Sequence, residues 1–178
     1  MATALILITH GFEEMETLTP LDVLRRAGVE VTLAGVKDGI HVTGSSGVTL
    51  HADASLTTLS QRYDYDLLVL PGGPQVKALR ADGRATALAR AYALAGKPVA
   101  AICAAPLLLA DAGLLTGKRF TCYPGEDIPG RLAEPAVITD GLITTSRGAG
   151  TSLAFALELV RILYGEVKAA EVAAAIAL

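Results

Sequence analysis

Tryptophan is absent from the 178 residues, and the aromatic share is only 4%. Single-stranded nucleic acid is held on aromatic faces, so a base-stacking surface is not expected. Positive charge is also scarce. The net charge is −3 and no basic block occurs, which leaves no electrostatic footprint for a phosphate backbone. The only cysteines are Cys103 and Cys122, too few for a disulfide framework, and a reducing, cytoplasmic compartment is the expectation. Cysteines and histidines at metal-ligand spacing are missing, as are GxGxxG and the P-loop. Neither a metal nor an organic cofactor is therefore expected. The longest apolar run, residues 99–110, has 12 residues and contains Pro106. A membrane-spanning helix needs about 20. The N-terminal stretch MATALILITHGFEE lacks a basic leader and reads as a first strand, not a signal peptide.

What is abundant is apolar. Hydrophobic residues make up 52% and charged ones 19%, which suggests a sheet buried on both faces, an oligomer interface, or both. The length suits one domain, residues 1–178, with a substantial core. Strand-like and helix-like stretches alternate throughout. ALILIT (residues 4–9), VEVTLAG (29–35), DLLVLPGG (66–73) and KPVAAIC (97–103) read as buried strands. A first helix is predicted from a Thr19 cap and Pro20 to a stop at Gly28, with others over residues 84–95, 106–112, 150–165 and the tail. Residues 40–56 read as a β-hairpin, RFTCY (119–123) as a short strand, and AVITDGLITTS as a hairpin turning at Asp140-Gly141. This βαβ alternation implies a largely parallel sheet with helices on both faces. Ligands of such folds bind at the carboxyl ends of the strands, and that rule collects the turns after Thr9 and Leu70 together with Cys103.

Cys103 stands where an apolar strand gives way to a helix, a place where α/β proteins expose a nucleophile. A helix beginning just after it would favour the thiolate and lower its pKa. A small buried cysteine satisfies the same pattern. Glu13, Glu14 and Glu16 suit the start of a helix, yet they also face the same rim. A carboxyl pressed against a thiolate would be held neutral and could donate to sulfur, and the pattern alone does not choose among the three. Pro71-Gly72-Gly73 offers unobstructed N–H groups for an oxyanion, or simply a turn. Residues 146–151 could admit an anion at a helix start, but read better as a loop with a cap. His10 near the rim could carry a proton. His41 and His51 fall in the first hairpin, at the surface.

Taken together, HGFEEMET, DLLVLPGG, AAICAAP and TSRGAGTS resemble the ThiJ/PfpI superfamily, in the branch of the Parkinson-disease-associated protein deglycase and its bacterial homologues. The likeness runs over nearly the whole chain, in order and spacing. It implies an α/β, flavodoxin-like (class I glutamine amidotransferase-like) three-layer sandwich and a homodimer. It also implies a reactive cysteine at Cys103, a protonated glutamate bonded to it at Glu16, and oxyanion donors at Gly72 or Gly73 and at Ala104. The chain departs from the family pattern in three places, one being Ala105 where some relatives have a glycine two residues after the cysteine. Cys122-Tyr123 occupies the region where relatives often carry a histidine, so no catalytic histidine is assigned. Ala104 replaces the histidine of the protease-like branch, which argues against a peptidase. The activity implied is cofactor-free glyoxalase or deglycase chemistry on α-oxoaldehydes such as methylglyoxal, or on glycated protein. The alternative is an oxidative-stress sensor or chaperone whose cysteine is oxidised to the sulfinate.

Overall fold

The computed structural model describes residues 1–37, 39–59 and 64–178. In chain order the first elements are β1 (Thr3–Ile8), α1 (Glu14–Arg26), β2 (Glu30–Gly35), β3 (His41–Thr43), β4 (Thr49–His51), β5 (Ala54–Ser55) and β6 (Leu67–Leu70). They are followed by α2 (Gln75–Asp82), α3 (Arg84–Leu94), β7 (Val99–Ile102), α4 (Pro106–Asp111), β8 (Val137–Asp140) and β9 (Ile143–Ser146). A short 3₁₀ turn (Ala149–Thr151) then leads into α5 (Ser152–Tyr164) and α6 (Glu166–Ala175).

Successive side chains of a strand point to opposite faces, so a strand buried on both faces must be apolar at every position. β1 shows this. Leu5 and Leu7 enter one core, while Ala4, Ile6 and Ile8 enter the other. The seven-stranded sheet has the order β5-β2-β1-β6-β7-β9-β8, parallel except for the antiparallel edge strand β8. Leu79 of α2, Leu88 and Tyr92 of α3, and Leu108 and Leu109 of α4 cover one face. Val23 and Leu24 of α1, Phe155 and Leu159 of α5, and Val172 of α6 cover the other. The result is a three-layer α/β sandwich. β3 and β4 form a separate hairpin in which His41 pairs with His51, their exposed rings edge-on at 5.0 Å.

Four expectations need correcting. The first helix begins at Glu14, not after Thr19. Glu13 is extended, and its carboxylate accepts the Glu16 N–H at 2.7 Å, so the acidic run caps the helix and Pro20 lies inside it. The stretch 119–123 is not a strand, because its polar backbone finds irregular partners: Thr121 N donates to the Thr145 hydroxyl, and Tyr123 N donates to the Cys103 carbonyl. The second hairpin turns one residue later, at Gly141-Leu142, with Asp140 still paired to Ile143. There the Asp140 carboxylate is held by Lys118 Nζ and Arg119 N. Finally, α2 was not anticipated. No side chain caps its start, and Gly83, at φ +80°, both ends α2 and begins α3.

Buried Gln75 clips the ends of two central strands together. Its Oε1 accepts from Thr9 N at 2.7 Å, and its Nε2 donates to Pro71 O at 2.9 Å. Gln75→Leu would strand both backbone groups, each at about 1–3 kcal/mol. Urea unfolding of that variant is expected to show a lower midpoint and a stability reduced by roughly 2–4 kcal/mol.

Candidate active site

The chain leaves β1 toward β2 on one side and returns to β6 on the other, so the sheet has its switch point at β1 and β6, where open α/β sheets bind ligands. Three strand ends converge there. β1 leads to α1 and Glu16, β6 leads to Pro71-Gly72-Gly73, and β7 leads to Cys103.

Glu16 lies in the first turn of α1, and none of it is exposed. Its Oε2 accepts the Gly72 N–H at 2.9 Å. Its Oε1 is buried with no partner in good hydrogen-bonding geometry, although the Cys103 thiol and the Ala149 N–H lie close enough to shift its titration. Burial pushes the carboxyl up to about 7, opposed by the bonds to Cys103 and Gly72 and assisted by the nearby Glu13 charge. Glu13 and Glu14 do other work. Glu13 caps α1, and Glu14 accepts from Ser45 Oγ and Ser46 N, tying the helix to the β3–β4 hairpin.

Cys103 is half-buried and sits at φ +65°, a left-handed conformation that residues other than glycine rarely adopt. The strained turn is held from both sides. Cys103 N donates to Ser146 O at 2.9 Å, and Cys103 O accepts from Tyr123 N at 2.8 Å. The N–H groups of Gly73 and Ala104 lie close enough to the sulfur to favour its ionised form. Gly72 is not available in the same way, since its N–H is bonded to Glu16. It must be glycine for a separate reason: a Cβ there would lie 2.7 Å from Cys103 Cβ and 2.8 Å from Ile102 O.

The thiol itself departs from the sequence-based expectation. Burial, followed by the Glu16 charge and the Glu16 hydrogen bond, pushes it up to about 12, and the N–H groups of Ala104 and Gly73 only partly oppose this. α4 is a single short helix of six residues, whose dipole is too small to outweigh desolvation beside a carboxylate. Thiol and carboxyl therefore behave as a pair that holds one negative charge. Cys122 is fully buried and also raised, to about 11, mainly by desolvation.

The remaining sequence candidates lie apart from the sulfur or serve the loops around it. His10 is exposed, and its Nδ1 accepts from Thr43 N at 3.1 Å. Residues 146–151 close on themselves through Thr151 Oγ1, which meets Ser146 Oγ at 2.6 Å and Gly148 O at 2.8 Å. That loop enters the site by its backbone, through Gly148 and Ala149. Sequence reasoning missed this contribution. It also missed Tyr123, whose ring, like the sulfur, lies within 4 Å of where a Gly148 Cβ would stand. The glycine-rich string and the residue replacing the family histidine were the available signals. Among the described residues, no three His, Cys, Asp or Glu side chains cluster to hold a metal.

Residues 2–162 match the DJ-1/PfpI family. The chain belongs to that family. It is 42% identical over 180 residues to protein DJ-1alpha of Drosophila melanogaster, covering 97% of this chain and 82% of that protein. A protein of Pyrococcus abyssi named a deglycase is 35% identical, covering 89% of this chain and 98% of its own. The structure of oxidized Toxoplasma gondii DJ-1 superposes with a TM-score of 0.91 at 33% identity, covering 99% of this chain and 98% of that one. In this DJ-1/PfpI chain, Cys103 and Glu16 occupy the elbow and acidic-run positions picked out by their motifs, and the structure brings them into contact.

The pair makes two pH predictions. Alkylation of Cys103 by iodoacetamide should rise through a midpoint near pH 7, where the pair loses its first proton, and then level off. Glu16→Gln should remove that inflection. Stability provides the second. The folded carboxyl titrates near 7, against a reference of 4.5, so it favours folding fully below about 4.5, and this contribution is lost as pH rises to 7. Unfolding curves of Glu16→Gln should lack that loss over the same window.

Proposed function

We propose that this protein is a cysteine-dependent, cofactor-free glyoxalase or deglycase acting on α-oxoaldehydes such as methylglyoxal or on their early protein adducts. The observation that carries the reading is the Cys103–Glu16 pair beneath two N–H groups. A carboxyl that titrates near 7 is matched to moving protons at neutral pH. A cleft of about 460 Å³, lined by Gly73 and Ala104 and bordered by Lys77, Arg80 and Glu126, suits a small polar substrate.

The chemistry balances without a further reagent. Ionised Glu16 takes the Cys103 thiol proton as sulfur adds to the aldehyde carbon. A C–S bond forms, and the carbonyl π pair becomes an alkoxide held by the N–H groups of Gly73 and Ala104. The alkoxide is then protonated, giving a hemithioacetal. Glu16 takes the C1 proton and returns it to C2, while the C1 hydroxyl proton passes to the C2 oxygen through an enediol, so that C1 is oxidised to a thioester and C2 reduced to an alcohol. Water cleaves the C–S bond, releasing lactate and the thiol. From a carbinolamine adduct, sulfur would displace the amine at C1, the C–N bond breaking as the C–S bond forms and Glu16 passing the thiol proton to the departing nitrogen, which gives the same hemithioacetal.

One observation favours the second reading, a redox sensor or chaperone. The unpartnered Glu16 Oε1 and the two N–H groups would suit the oxygens of a Cys103 sulfinate. The Toxoplasma gondii relative was solved in an oxidized form. A homodimer also fits this chain, since α1 exposes Met15 at 54% and Leu18 at 37%.

Methylglyoxal incubated with purified protein should yield lactate, and Cys103→Ser should reduce the yield to the uncatalysed level. Absence of turnover in the wild type, together with clean conversion of Cys103 to sulfinate by mild peroxide, would replace the enzyme with the sensor. Sedimentation should give about twice 18.3 kDa, and a monomer at micromolar concentration would refute the dimer.

A further inference from the structure

Tyr123 is half-exposed, and its ring stands between two glycines at the mouth of the site. A Cβ on Gly125 would fall 2.9 Å from its Cε1, so the ring packs directly over that backbone. On the other side, a carbon at the Cβ position of Gly148 would lie 3.7 Å from Tyr123 Cδ2 and 3.8 Å from both Cys103 Sγ and Glu16 Oε1. These are ordinary van der Waals distances, and they are the nearest atoms outside the adjoining backbone. The missing side chain of Gly148 thus leaves room for one methyl-sized group touching the nucleophile, the acid and the aromatic wall together. The main chain that carries the ring is tied to the elbow. Tyr123 N is bonded to Cys103 O at 2.8 Å, and Tyr123 O accepts from Glu126 N at 3.0 Å.

We propose that Tyr123 is the specificity-determining residue of this site: its ring, set over Gly125 and facing Gly148, limits the group carried beside the reacting carbonyl to about the size of a methyl. The proposal rests on the glyoxalase reading for its substrate class, because methylglyoxal carries such a group and phenylglyoxal does not.

Two measurements on the full-length protein test this. The first needs no turnover. Alkylation rates of Cys103, mapped by mass spectrometry, are compared for iodoacetamide and N-phenylmaleimide and normalised to free cysteine. Tyr123→Ala should raise the relative rate of the bulky reagent by about tenfold or more, the lower end of what a misfit group costs in a shaped pocket. Tyr123→Phe should leave that ratio unchanged. The second compares kcat/KM for methylglyoxal and phenylglyoxal, and Tyr123→Ala should shift their ratio toward phenylglyoxal by a similar factor. An unchanged alkylation ratio in a Tyr123→Ala protein with wild-type circular dichroism would overturn the proposal. Tyr123→Val serves as a second truncation if the alanine variant is unstable. Failure of the wild type to turn over either aldehyde would remove the glyoxalase reading, while the alkylation ratio would still decide whether the ring is a sieve.

Discussion

The hydrogen bond from Gly72 N to Glu16 Oε2 joins the end of β6 to the first turn of α1, and the site is arranged around it. It holds a fully buried carboxyl at the switch point of the sheet, where Gly72 also lies close enough to Cys103 and Ile102 that no Cβ fits. Three strand ends can come together only because one of them has no side chain. Glu16 in turn depends on Glu13, whose carboxylate caps the helix and sets the register in which the third residue of α1 faces inward. Shifting the helix start by one residue would rotate Glu16 about 100° around the axis and away from the sulfur.

Burial governs the electrostatics that follow. It raises both partners of the pair; the Glu16 charge pushes the thiol up further, while the thiol's contact holds the carboxyl down, so the cleft tolerates one negative charge and not two. The usual picture of a low-pKa cysteine at a helix start does not apply, because α4 is short and a carboxyl adjoins the sulfur. In the proposed reaction, nucleophilicity would come from moving the proton to Glu16 as the C–S bond forms. A free thiolate need not accumulate. The N–H groups of Gly73 and Ala104 suit that scheme, since they favour negative charge at the sulfur and at an oxygen added next to it. The elbow at Cys103 stores backbone strain of about 1–3 kcal/mol. The bonds that Cys103 donates to Ser146 O and accepts from Tyr123 N hold it in place.

Much of the architecture was legible locally. Continuous apolar runs marked β1, β6 and β7, since a strand covered on both faces has no polar position, and Cys103 was legible as a strand-to-helix junction. The acidic run was recognised, but its role as a cap was not, because Thr19-Pro20 is an equally good local start signal and only the burial of Glu16 discriminates between them. Residues 119–123 have strand composition, yet no neighbouring strand is in register to pair with them. α2 escaped because its start bears no capping side chain and its stop is shared with α3.

Composition and order alone establish a parallel sheet with helices on both faces, and they carry the family motifs that single out Cys103 and Glu16. The direction of the thiol's shift, the division of labour between Gly72 and Gly73, and the contributions of Gly148 and Tyr123 follow from contacts between distant segments. Glu16 and Gly72 are 56 residues apart in the chain. Desolvation and close approach depend on what surrounds an atom in space, and that environment exists only once β1, β6, β7 and the loop after β9 have been brought to one rim.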